Sequence, residues 1–363
     1  MSRDTVLERP SSLRRILVVA VLATCACASA PEEERAEQVP TAAHTAAQSD
    51  PAQTAPAQPE CAMSDADRAW IERALEAWRF TCREITGIGS MPIFRAIFFD
   101  AGCVRTSGDA LTSPTAEGVT WSTAPHAGTI PLPDGREIEV GVTSFASGKD
   151  QLYFFVMSTP SVWSAGGIGS GPSLETMMVA VLLHEASHVA QLGPYGKRLG
   201  ELIERYSLPD SFDDDCVEER FRSNLEFAAS VGKETSLFLQ AAAEEDDLQA
   251  RILVDDAREL MRARQARWQV GDDAYLVEAE DIWLTFEGAG QWTAFRWATH
   301  PQGGAQRPAD ALPRYGRGPW SQAEGFALVL ALDRIAGPSW KGHAFGDGKK
   351  TVLEMLDEAL AQD

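Results

Sequence analysis

Residues 181–190 read Val181-Leu182-Leu183-His184-Glu185-Ala186-Ser187-His188-Val189-Ala190. Residues four apart on an α-helix lie one above the other, so His184 and His188 bring both imidazoles to one point from the same face. Glu185 is rotated from that face but adjacent to it, where a carboxylate can orient a water and take its proton. These three are the only ionisable side chains between Met177 and Gln191. The pattern predicts a buried helix from about Leu174 to Gln191, entered through Gly166 to Gly171 and Pro172 and ended near Gly193-Pro194. Burying two imidazoles and a carboxylate without partners costs roughly several kcal/mol, which a bound metal ion would offset. With only 6 histidines in 363 residues, composition alone does not account for this spacing.

Outward from that helix, the chain changes character. On its N-terminal side, strands are expected at Met91 to Asp100, Glu137 to Thr143 and Gln151 to Ser158, with Pro133-Asp134-Gly135 as a turn. Ser64 with Asp67 predicts a cap opening a helix that carries Trp70, Ile71, Ala74, Leu75, Trp78 and Cys82 on one face. On the C-terminal side, helical periodicity covers 213–270, 275–298, 320–336 and 350–361. The expected fold class is α+β: an N-terminal mixed or antiparallel sheet packed on the helix of His184, followed by a mostly helical C-terminal part. The corresponding divisions are 61–195 and 196–363. Glu244-Glu245-Asp246-Asp247 reads as solvated surface, since it lacks the spacing of a calcium loop.

The first sixty residues are of another kind. Arg14 and Arg15 precede the short apolar run Ile16 to Ala23, and small residues continue to Ala30, so 1–30 reads as an export signal. Cys25 and Cys27 both sit at the end of that run, in surroundings that resemble a bacterial lipobox, and either is a candidate for lipidation. Residues 31–60, rich in Ala, Gln, Thr, Pro and Glu, read as a disordered linker. The expected location is therefore the cell envelope or periplasm, with membrane attachment only through an N-terminal lipid anchor. Cys61, Cys82, Cys103 and Cys216 allow up to two disulfides in three pairings. Asp and Glu number 53 against 32 Lys and Arg, a net charge of −21, which argues against nucleic acid as a partner.

His184-Glu185-x-x-His188 with uncharged flanks, and Val181 three before the first His, resembles the zincin superfamily of zinc metallopeptidases. The segment Val189 to Pro194 lacks the glycine and third histidine of the metzincin branch, and no His follows until His300. The resemblance is thus to the gluzincins, in which a glutamate on a later helix completes the site. Trp283-Leu284-Thr285-Phe286-Glu287-Gly288-Ala289 is similar to the W-L-x-E-G-x-A motif of one branch, with one extra residue before the Glu. That makes Glu287 the preferred third ligand, with Gln291 one turn on as a buttress. Ala323-Glu324-Gly325-Phe326-Ala327 carries similar text, with Glu324 read as a surface position, and Glu218, Glu219 and Glu226 are further alternatives.

The resemblance implies Zn2+ on His184, His188 and Glu287, with Glu185 as general base. It also implies an edge strand beside the metal, for which Tyr153 to Met157 is the candidate, and an oxyanion-stabilising group, for which His300, Tyr315 and Arg317 are candidates. The expected function is an exported zinc metallopeptidase acting on a peptide or protein substrate. The alternative is a non-catalytic envelope lipoprotein that binds a partner or cell-wall component on the same scaffold.

Overall fold

The structure, a computed structural model, describes residues 61–88, 94–108, 120–149, 152–209, 211–348 and 350–362, with a short strand at 16–18. Cys25, Cys27, the stretch 31–60 read as a linker and, apart from 16–18, the other residues of 1–30 read as an export signal lie outside the described residues. Helix α1 (Asp65–Phe80) begins where the Ser64 hydroxyl accepts the Asp67 N–H at 3.1 Å, and its expected apolar face is buried. Seven strands follow: β2 (Phe94–Phe99), β3 (Cys103–Ser107), β4 (Trp121–Pro125), β5 (Thr129–Pro131), β6 (Glu137–Glu139), β7 (Ser144–Lys149) and β8 (Leu152–Ser158). Five of them form a mixed sheet in the order β7-β8-β2-β3-β4, and the short strand β1 (Ile16–Val18) runs antiparallel along the outer side of β7. Strands β5 and β6 form a separate ribbon around the Pro133-Asp134-Gly135 turn, where Gly135 takes a φ of +86°.

This topology corrects one expectation. Tyr153 to Met157 is not an edge, because β8 pairs in parallel with β2 and antiparallel with β7. Its unbroken apolar run has a physical cause. Phe155 and Met157 face the main core, while Phe154 and Val156 join Ile97, Phe99, Ile130 and Leu132 on the opposite side of the sheet. A strand buried on both faces has no solvent side to mark with polar residues. The strand expected at 137–143 is shorter than predicted, since only Glu137–Glu139 pairs before the chain turns toward β7.

Helices build the remainder: α2 (Pro160–Ala165), α3 (Gly171–Leu192), α4 (Pro194–Tyr206), α5 (Cys216–Phe221), α6 (Leu225–Ala243), α7 (Asp247–Trp268), α8 (Tyr275–Thr299), α9 (Pro308–Tyr315), α10 (Trp320–Ala336) and α11 (Val352–Ala361). Two of these are buried around their whole circumference, α3 from Met178 to Leu192 and α8 from Ile282 to Phe295. Helix α3 lies between the sheet and α8, so one core runs from Met63 on the N-terminal side to Ala359 at the other end. A disulfide joins Cys61 to Cys103, with Cα atoms 5.8 Å apart, and ties the entry of α1 to β3. Cys82 and Cys216 are thiols, so one of the two disulfides allowed by the count is formed.

Glu324 also departs from expectation, being 1% exposed and not at the surface. It belongs to a buried ion cluster in which Arg264 meets Glu234 at 2.9 Å, Glu280 at 2.8 Å and Glu324 at 3.6 Å. One cation gathering carboxylates from α6, α8 and α10 explains why Glu324 can be internal.

Glycines set the spacing of α8 and α10. A Cβ at Gly288 would meet the Gly325 carbonyl oxygen at 2.3 Å, so the two backbones touch. Gly288→Ala should therefore cost about 1–3 kcal/mol of stability through overpacking. Gly232, mid-helix in α6 and with nothing within 4 Å of its would-be Cβ, provides the opposite case. Gly232→Ala should stabilise by roughly 0.5–1 kcal/mol. Urea unfolding of both variants should move the midpoint in opposite directions.

Candidate metal centre

His184 and His188 sit one turn apart on α3, 2% and 0% exposed, with their Nε2 atoms 2.8 Å from each other. Glu287 of α8 meets them from across the helix interface. Its Oε2 lies 3.3 Å from His184 Nε2 and its Oε1 3.2 Å from His188 Nε2. One ligand atom from each residue falls within 4.8 Å of the other two. Glycine permits this approach at one further point: a Cβ at Gly290 would stand 2.9 Å from His184 Cε1 and Nδ1. The small residues after Glu287 thus divide their work. Gly290 accommodates the imidazole of α3, and Gly288 accommodates α10.

The polar accounting of this pocket is unbalanced. Neither oxygen of Glu287, neither oxygen of Glu185 nor the Nδ1 of His184 receives a hydrogen-bond partner, although all are buried. Such groups ordinarily cost about 1–3 kcal/mol each when left unpaired. Two imidazole lone pairs cannot face each other at 2.8 Å unless a proton or a cation lies between them. Two nitrogens and one carboxylate also match the donor set of an open catalytic metal site. A divalent cation held there would balance the charges of Glu185 and Glu287. The residues present fit a metal ion, and they could hold it through His184, His188 and Glu287.

Around the triad, Gln191 supplies the orienting contact. Its Oε1 faces His188 Nδ1 at 3.4 Å, and its amide nitrogen donates to the Thr285 carbonyl of α8 at 3.1 Å. With its proton on Nδ1, His188 keeps the Nε2 lone pair for a metal. Gln291 does not play this part. It donates to Gln322 Oε1 at 3.0 Å and lines a cavity beside His184. The buttress was legible in principle, because Gln191 stands one helical turn from His188.

Glu185 is fully buried beside the triad. Burial, then the neighbouring Glu287 charge, push its carboxyl well above the usual carboxylate range. The Ala146 backbone and the Ser144 hydroxyl on β7 favour the ionised form. No local signal in the sequence marks Ser144 or Ala146, because only sheet pairing brings them to α3. Burial raises the Glu287 carboxyl too, but the charges and contacts of His188 and His184 outweigh it and hold this group low. Burial and the nearby His188 lower His184.

The remaining candidates scatter. Glu218 accepts the Trp320 N–H at 2.9 Å, Glu219 is exposed, and Glu226 pairs with Arg267 at the surface. His300 caps the end of α8 with its ring 4.8 Å from Phe80, and Arg317 is exposed beyond α9. Tyr315 is the oxyanion candidate that reaches the site. With Arg314, it closes a cavity of about 20 Å³ against His184. That volume accommodates about one water.

In comparison with known proteins, the chain matches no protein-family model, no curated protein and no solved structure.

Competition with a chromophoric chelator measures the contribution of each ligand, with zinc as the probe. Glu287→Ala should abolish tight binding. Gln191→Leu should weaken it by about 10–100-fold while leaving the three ligands in place.

Proposed function

We propose that this chain is an exported, zinc-dependent hydrolase of peptide bonds. The observation that carries this reading is the buried meeting of His184, His188 and Glu287 with Glu185 at its side. A glutamate supplied by a later helix and a sheet lying against the helix of His184 support a zincin-like arrangement of the gluzincin kind. Among transition metals, zinc suits a His, His, carboxylate set. When bound, zinc supplies Lewis acidity that polarises a carbonyl and acidifies a water.

The protein groups have separable tasks. His184, His188 and Glu287 would hold the ion. The Glu185 carboxylate accepts a proton from the attacking water and returns it to the departing amine nitrogen. In the protein alone, burial favours a protonated Glu185, and a dication in the same pocket acts in the opposite sense. The surrounding apolar core excludes bulk water, which strengthens each of these interactions. A centre used only for structure would have no need of an ionisable group at 185.

The export part of the reading rests on residues 1–30, with a lipid on Cys25 or Cys27, and the Cys61–Cys103 disulfide supports an oxidising compartment.

Glu185→Gln separates binding from chemistry. The variant should retain stoichiometric zinc and lose about 10²–10⁴-fold in hydrolysis of a mixed peptide library. Removing zinc from the parent with a chelator should abolish hydrolysis, and adding zinc back should restore it. A Glu185→Gln protein that hydrolyses at the parent rate would contradict the assignment.

A further inference from the structure

We propose that Arg314 and Tyr315 bind the terminal carboxylate of the substrate, so that the site removes residues from the C-terminal end of peptides. The inference rests on the proposed peptide hydrolysis and adds the substrate class.

The cavity beside His184 differs from the rest of the molecule in charge. The chain carries 53 acidic residues, yet no carboxylate lines this cavity. Its polar groups are His184, Gln291, Arg314 and Tyr315, and the remaining walls are apolar. Arg314 makes no ion pair among the described residues, whereas Arg307 on the same segment is held by Asp310 at 2.6 Å. Arg314 is exposed at the edge of this cavity, and its guanidinium offers a planar fork of donors suited to a carboxylate. Tyr315 adds a second donor. It is 6% exposed, and its hydroxyl makes no hydrogen bond among the described residues. Burial pushes its phenol up to about 12, so it stays protonated. Gln291 spends its amide hydrogen on Gln322, which leaves Oε1 to accept an N–H from the substrate.

Position gives these groups their meaning. They stand on the same small cavity as the imidazole of His184, so an anion held by Arg314 lies close to the metal centre. Water then adds across the last peptide bond. Its oxygen joins the acyl carbon, the C–N bond breaks, and the proton taken by Glu185 passes to the released amine.

The same two residues could instead stabilise charge on the reacting carbonyl oxygen, and the experiment separates the two roles. Peptides of one sequence, ending in a free carboxylate or in an amide, are given to the full zinc-loaded protein, with products identified by mass spectrometry. The parent should release single C-terminal residues from the free acid and act at least about tenfold less well on the amide. Arg314→Ala and Arg314→Gln should raise KM for the free acid by roughly 10–100-fold, the range for a lost charged hydrogen bond, with kcat little changed. Both should lose less on the amide, which has no carboxylate for Arg314 to hold, than on the free acid. A binding measurement independent of turnover uses Glu185→Gln, whose affinity for an N-acetylated dipeptide acid should fall by the same factor when Arg314→Gln is added. Equal cleavage of acid and amide by the parent overturns the inference and leaves the peptidase reading intact. So does a loss of kcat on both substrates in the Arg314 variants, which indicates the oxyanion role. Absence of any cleavage by zinc-loaded parent protein overturns the peptidase reading itself, and this inference with it.

Discussion

The contact between α3 and α8 governs this structure. It sets Glu287 against two imidazoles inside the protein, a burial that a partner shared by the carboxylate and the imidazoles would offset. Neither Glu287 oxygen accepts a hydrogen bond, and the two Nε2 atoms face each other at 2.8 Å. Removing one member of such a group leaves the others uncompensated, which is far costlier than replacing all of them by apolar residues. The core around α3 and α8 is therefore organised for the site as much as for stability. Gly290 is shaped to the His184 ring, Gly288 to the backbone of α10, and Gln191 ties His188 to the Thr285 carbonyl of α8.

Charge is distributed with the same economy. Among the described residues most acids are at the surface or in ion pairs, and Arg264 gathers three glutamates in the interior. Beside the candidate metal centre the pattern reverses. The cavity next to His184 contains an arginine, a tyrosine and no acid. Glu185 adjoins the triad, and the Ala146 backbone and Ser144 of β7 favour its ionised form.

Much of this was legible in the residues, and the illegible parts have identifiable causes. Helices α1, α3, α8, α10 and α11 announce themselves through periodicity, Ser64 or Pro172 at their starts, and uninterrupted apolar runs. Strand β7, Ser-Phe-Ala-Ser-Gly-Lys, does not, because its glycine and serines look like a loop until β8 pairs with it. The short polar strand β4 is mostly exposed and has no alternation to detect. The choice between Glu287 and Glu324 was ambiguous for a particular reason. Both are followed by glycine, and Gly288 and Gly325 are the two sides of one close helix crossing. Similar text arose from a shared packing requirement, and only the direction of each carboxylate distinguishes them: Glu287 points to the histidines and Glu324 to Arg264.

X-ray absorption at the zinc edge, on protein loaded with one equivalent of zinc, tests the central claim most directly. The account predicts a first shell of two imidazole nitrogens and carboxylate or water oxygens at about 2.0–2.2 Å, with no sulfur. That signal should disappear in Glu287→Ala and His184→Ala. A first shell containing sulfur, or full zinc retention in His184→Ala, would contradict the assignment of the metal to α3 and α8.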